Sequence, residues 1–301
     1  MAKRSFAALH RQRVAAQLAA EESQADASPS AQPVSLSPPP NFTAGLPAAT
    51  PAAKGKPSLA AVHRQMVLAA QAANKAPVGL AAARPTDGPA ATEYELLLAA
   101  LGTDIASLRA IQSVEAKIAK KAELIDVYDA HVDATLLAAT ETGQALQDEI
   151  VATMMIWRLD IGDFARGLDL AEHVLHFDLA LPQNIVRTAP TLIAEEVAEA
   201  ALKACQIDQP FDLDVVNRTI DLTSEKDMPD QVRAKLYKAR GKLLLREAEA
   251  AKDNATAPAG AEQHAMASAL AAFQRALGLH DNCGVKKDIE RLTAKVQTAK
   301  E

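Results

Sequence analysis

Trp157-Arg158-Leu159-Asp160-Ile161-Gly162-Asp163 reads as the turn of a helical hairpin, and the rest of the chain is read outward from it. Upstream, Leu146, Ile150, Met154 and Trp157 fall at the spacing of one helix face; downstream, Phe164, Leu168, Ala171 and Leu175 do the same. Gly162 suits the left-handed position that closes a helix. Asp163 can accept from the free N–H groups that open the next one. Trp157 is the only tryptophan in the chain. An indole brings a core more area than any other side chain, so Trp157 is expected to anchor the hairpin. Arg158 either pairs with Asp160, Asp163 or Glu196 or makes a functional contact, and pairing is the preferred reading.

Similar helices continue to the C-terminus. The pattern predicts helices over 144–160 and 163–175, then over 191–205, entered through Pro190, and over 212–222. Asp227 is expected to cap a helix that Pro229 opens and that runs to about Ala251. After an Ala-rich insertion, helices follow over 267–279 and 285–300. The loop 181–190 holds Arg187, expected to be exposed and able to touch a partner. Segments 165–172 and 268–276 resemble each other and the second helix of a tetratricopeptide unit, without a fixed tandem period. Composition agrees with closely packed helices: 49% of residues are hydrophobic, many of them Ala, and 3% are aromatic. The fold class is all-α: a disordered basic N-terminal arm, a long helical hairpin, then helical-repeat-like (tetratricopeptide-like) hairpins.

Before the Trp157 hairpin, Thr92-Glu93-Tyr94-Glu95 has the form of a capping box. A helix is expected from there to Leu101, ended by Gly102. The next would be long, with Leu108, Ile111, Val114, Ile118, Ile125, Tyr128 and Val132 along one seam. Two readings fit. In a helix-turn-helix, Arg109, Lys117, Lys120 and Lys121 would face DNA. In an oligomerisation hairpin, the seam would pack against a neighbouring subunit. Its length and regularity favour the hairpin, and the lysines also fit a solvated face.

The N-terminal region differs in charge from the rest. Residues 1–90 hold nine Lys/Arg and four acids, net +5, whereas the other 211 residues hold 23 and 34, net −11. This is a basic arm on an acidic body, and such an arm can neutralise phosphates. Residues 2–22 read as a short amphipathic helix. Residues 23–57, with eight of the 16 prolines, read as a disordered linker. Leu9-His10-Arg11-Gln12-Arg13-Val14 recurs as Val62-His63-Arg64-Gln65-Met66-Val67. Arg11, Arg13, His63 and Arg64 are therefore candidate phosphate contacts on one tether, with chance recurrence in an Ala-rich sequence as the alternative.

Little in the chain points to chemistry of its own. Lys54-Gly55-Lys56-Pro57-Ser58 lacks the first glycine of a phosphate loop. Asp160, Asp163, Asp169, Glu172, His173, His176 and Asp178 could approach a metal, but they alternate with core positions and fit a solvated acidic face. Asp208, Asp212, Asp214 and Asp221 read the same way. Lys286, Lys287, Arg291 and Lys295 alternate with acids, as on a salt-bridged helix. No catalytic residue, metal or cofactor is expected. Cys205 and Cys283 have no metal or disulfide spacing and suit a reducing compartment. No apolar run approaches a membrane span. A soluble, cytoplasmic protein is expected.

Three blocks carry a family resemblance: Met154-Met155-Ile156-Trp157-Arg158-Leu159-Asp160-Ile161-Gly162-Asp163, Asp227-Met228-Pro229-Asp230-Gln231-Val232-Arg233-Ala234-Lys235-Leu236-Tyr237-Lys238, and Gly284-Val285-Lys286-Lys287-Asp288-Ile289-Glu290-Arg291-Leu292. With them, residues 57 to the end resemble the small terminase subunit of cohesive-end tailed bacteriophages of the myophage type. The resemblance implies a protein that binds double-stranded viral DNA near the cohesive-end site, forms a ring-like homo-oligomer in the host cytoplasm, and recruits the large terminase subunit. The large subunit would supply the ATPase and the cutting. Family members are labelled endonuclease subunits, yet no nuclease or ATPase motif is visible here, so no activity in isolation is expected. The implied division is 1–56 as an N-terminal extension, 57–90 as basic arm and linker, 91–142 as the helical hairpin, and 143–301 as the helical-repeat-like domain. The alternative is a helical-repeat adaptor that binds protein without binding DNA.

Overall fold

The structure, a computed structural model, describes residues 81–298 apart from residue 255. The expected 2–22 helix, the Pro-rich linker and the repeated basic segment lie outside these residues. Ten helices make up the described fold: α1 Pro89–Ala110, α2 Val114–Leu124, α3 Asp126–Thr142, α4 Glu149–Asp160, α5 Phe164–Phe177, α6 Ala189–Gln206, α7 Leu213–Thr223, α8 Asp230–Asp253, α9 Ala261–Leu279 and α10 Lys286–Thr298. The all-α expectation holds.

The Trp157 hairpin forms as the residue pattern dictates. Gly162 takes φ +83°, and the Asp163 side chain accepts from the Arg166 N–H to cap α5. Trp157 is buried, and its ring meets Tyr128 of α3 edge-on at 6.3 Å between centroids. Gly167 lets α5 lie close on α4: a Cβ there would sit 2.8 Å from Leu159 Cδ2.

The first helices depart from the expected boundaries. α1 starts at Pro89 after Gly88 at φ +93°, and Thr92 Oγ1 donates to the Gly88 carbonyl, so no capping box forms. α1 then runs through Gly102. A glycine inside a helix costs only about 1 kcal/mol, and Leu101, Ile105 and Leu108 keep the helix on the core. The break comes instead at Ile111, which is extended, and at Ser113, whose hydroxyl accepts from the Ala116 N–H and caps α2. The single long helix is therefore the end of α1, then α2 and α3. Its seam divides as well: Leu108, Ile125, Tyr128 and Val132 enter the core, while Val114 stays 71% exposed. Further on, α8 begins after Pro229 with no side-chain cap, so Asp227 does not have the capping role expected of it.

One hydrophobic core joins α1 and α3 through α4–α6 to Leu236 and Leu243 of α8. A second gathers Leu244 of α8 with Phe273, Val285 and Leu292. α8 thus borders both. Gly241 permits its closest contact with α9, because a Cβ would fall 2.5 Å from the Phe273 ring.

A short segment ahead of α1 is tied to this body. The Ala81 N–H donates to the Phe177 carbonyl, the Ala82 N–H to the Ala145 carbonyl, and the Gln147 N–H to the Ala82 carbonyl. Ala82 and Leu146 run parallel there. Arg84 then reaches the fully buried Asp148, and its guanidinium lies 3.8 Å above the Tyr94 ring.

Candidate nucleic-acid interface

α2 carries Lys117, Lys120 and Lys121 but buries none of its residues fully. It rests against α1, α3 and α4. Because the chain breaks at 111–113 and not at 102, Arg109 at the end of α1 and the lysines of α2 flank one turn. Lys117 and Lys121 are four residues apart, so they share a face of α2.

That face lines a groove of about 350 Å³, together with Arg109, Trp157 and Asp160 of α4, Arg187 of the loop before α6, and Glu196 of α6. The loop places Arg187 there because Pro182 and Ile185 pack inward while Val186 and Arg187 face solvent. Four cations meet two carboxylates in the groove. Lys121 pairs with Asp160. Arg187 donates to Glu195 at 2.5 Å and lies 3.9 Å from Glu196. Burial, and then the nearby Asp160 charge, push the Glu196 carboxyl above its usual range. Arg109 and Lys117 make no ion pair among the described residues. They are the charges available to a phosphate at this groove.

The structure therefore brings together Arg109, Lys117 and Lys121 of the sequence-derived candidates. Lys120 is not on the groove wall and pairs with Glu123 at 2.9 Å. Arg11, Arg13, His63 and Arg64 lie outside the described residues. The sequence did not associate Arg187 with this set, since only folding brings a loop some 70 residues downstream onto α2.

Several of the other charged residues are paired with one another. Arg158 donates to both oxygens of Asp129 at 2.7 Å and to Asp163 at 2.8 Å. Burial opposes its charge, but these bonds outweigh burial and raise its pKa. Arg218 bridges Asp169 at 2.8 Å and Glu172 at 3.0 Å. Near the C-terminus, Asp288 pairs with Lys242 and Arg291. Among the described residues no group of three or more His, Cys, Asp or Glu could hold a metal ion. Among the same residues no helix is long and apolar enough to cross a membrane.

The buried cluster at the start of α4 was not anticipated. Asp148 Oδ1 accepts from the Ile150 and Val151 N–H groups. Its Oδ2 lies 2.8 Å from His131 Nε2 and accepts from Arg84. The sequence pattern predicts a helix over 144–160, with Asp148 inside it; the helix starts at Glu149 with Asp148 as its cap, and nothing in the sequence joined Arg84 and His131 to that residue.

Residues 98–231, spanning most of α1 through the start of α8, match the family model described as phage small terminase subunit. The chain is 42% identical over 202 residues to the "Terminase, endonuclease subunit" of Escherichia phage P2, covering 67% of this chain and 74% of that protein. It is 26% identical over 200 residues to the "Probable terminase, endonuclease subunit" of Haemophilus phage HP1, covering 66% of this chain and 69% of that protein. No solved structure matches. The chain belongs to the phage small terminase subunit family, and its role lies in phage DNA packaging.

Proposed function

We propose that this chain binds double-stranded viral DNA at the cohesive-end or packaging site in the bacterial cytoplasm, oligomerises, and recruits the large terminase subunit for cutting and for packaging into the prohead. In this reading the small subunit selects the site, and cleavage belongs to the complex. The observation that carries the DNA reading is the groove beside α2, where Arg109 and Lys117 lack ion-pair partners among the described residues. The basic stretch 1–90 adds charge that can contact phosphates without reading sequence. The oligomer is supported by the exposed apolar side chains Leu96, Val114, Ile118 and Val127, which all lie on α1–α3.

The test is a titration of a cohesive-end duplex at several salt concentrations. Replacing Arg109 and Lys117 together by Ala should lower the slope of log K against log salt by about 2, one per phosphate contact. An unchanged slope would remove the groove from the DNA interface. The adaptor reading draws on the net negative charge of residues 91–301 and on the tetratricopeptide-like helices, and it becomes the better account if the full chain shows no salt-dependent DNA binding.

A further inference from the structure

Away from the α2 groove, a recess of about 680 Å³ opens between α7, α8 and α9. Its floor is one stripe of α8: Arg240, Leu244, Glu247 and Ala251. The recess exists because the α8–α9 hairpin closes unevenly. At Gly241 the two helices touch through Phe273, whereas nearer the turn α9 lines the recess with Ala261, His264, Ala265 and Ser268, and the two alanines are too small to close the gap.

The recess has opposite charge at its two ends. Arg240 makes no hydrogen bond or ion pair among the described residues, and its Nε is buried without a partner. A guanidinium cannot shed its charge, so this donor is left waiting for an acceptor. Two helical turns away, about 10 Å along α8, lies Glu247. Asp212 and Asp214, from the start of α7, act on it. Burial, and then these two carboxylates, raise the Glu247 pKa. None of the three acids has an ion-pair partner among the described residues. The rest of the lining is mostly apolar, with Leu213, Leu244 and Ala265, and includes the polar side chains of Asn217, His264 and Ser268.

We propose that this recess receives an amphipathic helix from a protein partner, with its apolar face on Leu244 and Ala265, a carboxylate on Arg240, and a lysine or arginine on Glu247. The dimensions suit such a guest. Arg240 to Ala251 spans about 16 Å, three turns of helix, so a guest helix of that length can lie along the stripe. The acidic end opposes DNA. A small anion would use Arg240 but leave the acids repelling one another. A helix with opposite charges two turns apart satisfies both ends.

The test uses the full chain and two synthetic amphipathic helices of about four turns, identical except for the charged pair. One carries Glu and Lys two turns apart, and the other carries Lys at both positions. Fluorescence anisotropy should show the Glu/Lys peptide binding wild type about tenfold or more tightly than the Lys/Lys peptide. Arg240→Glu should reverse that preference, with DNA affinity and molecular mass in solution unchanged. The reversal keeps the test decisive against simple misfolding, because an unfolded variant would gain affinity for neither peptide. Equal binding of both peptides to wild type, or no binding of either, overturns the proposal. Loss of DNA affinity in Arg240→Glu would assign the recess to nucleic acid, and a change of mass would assign it to a second copy of the chain. Either result also overturns the proposal.

Discussion

Asp148 is buried, yet it carries a charge that four donors hold in place. Burial alone would raise its pKa. The hydrogen bond and charge of His131, then Arg84 and the Val151 N–H, outweigh burial and bring it down to about 2 from 3.8. A carboxyl depressed in the folded state stabilises the fold above its unfolded pKa and loses that contribution as pH falls through the folded value. The contribution is thus complete above about pH 5 and disappears towards pH 2, and a shift of this size corresponds to roughly 2 kcal/mol. Asp148→Asn keeps a capping oxygen but leaves Arg84 and His131 facing a neutral amide. Urea denaturation at pH 7 should show it destabilised by about 3–5 kcal/mol. The gap to wild type should narrow steadily as the titration is repeated towards pH 2, and a gap independent of pH would refute this account of the site.

Among the elements, α8 and α2 lend themselves to opposite kinds of test. α8 is locked by contact: Gly241→Ala would drive a methyl into the Phe273 ring and should cost about 1–3 kcal/mol in thermal or urea unfolding, although alanine is the better helix former. α2 is loosely held, with no fully buried residue and with Val114 and Ile118 on its exposed side. Val114→Glu with Ile118→Glu should leave monomer stability within about 0.5 kcal/mol. If this face joins subunits, light scattering should show a smaller assembly for that pair, and an unchanged mass would clear the face of that role. The α4–α5 turn and the break between α1 and α2 show what the sequence can and cannot reveal. Gly162 and Asp163 marked the hairpin turn because both signals are local and agree. Gly102 misled because a lone glycine does not end a helix whose apolar face continues. Ser113 went unread as a stop because its hydroxyl competes with the backbone only once Ile111 turns extended. The α2 groove was legible as a set of lysines on one helix, but the carboxylates beneath them and the arrival of Arg187 depend on tertiary packing.

In the whole molecule, the described residues ahead of α1 are bonded to the helical body from Ala81 onward. A chain trimmed to 81–301 keeps Arg84 on Asp148, whereas 91–301 removes it and buries the carboxylate one partner short. Differential scanning should give 81–301 the transition of the full-length body, and 91–301 a transition lower by about 5–10 °C. Equal transitions would mean that the segment merely rests on the surface. The attachment at 81–84 also has a mechanical consequence. It sits at the start of α4, while Asp160 and the groove lie at the other end, about 18 Å away along the helix. Tension on the arm would run along the short parallel pairing of Ala82 with Leu146. It would load the Ala81, Ala82 and Gln147 bonds together in shear, with the Arg84 ion pair behind them. A pull on the residues before Ala81 would then reach the rigid axis of α4 before it could unwind α1, so if DNA is held beside α2 as proposed, that contact is not the first thing to give.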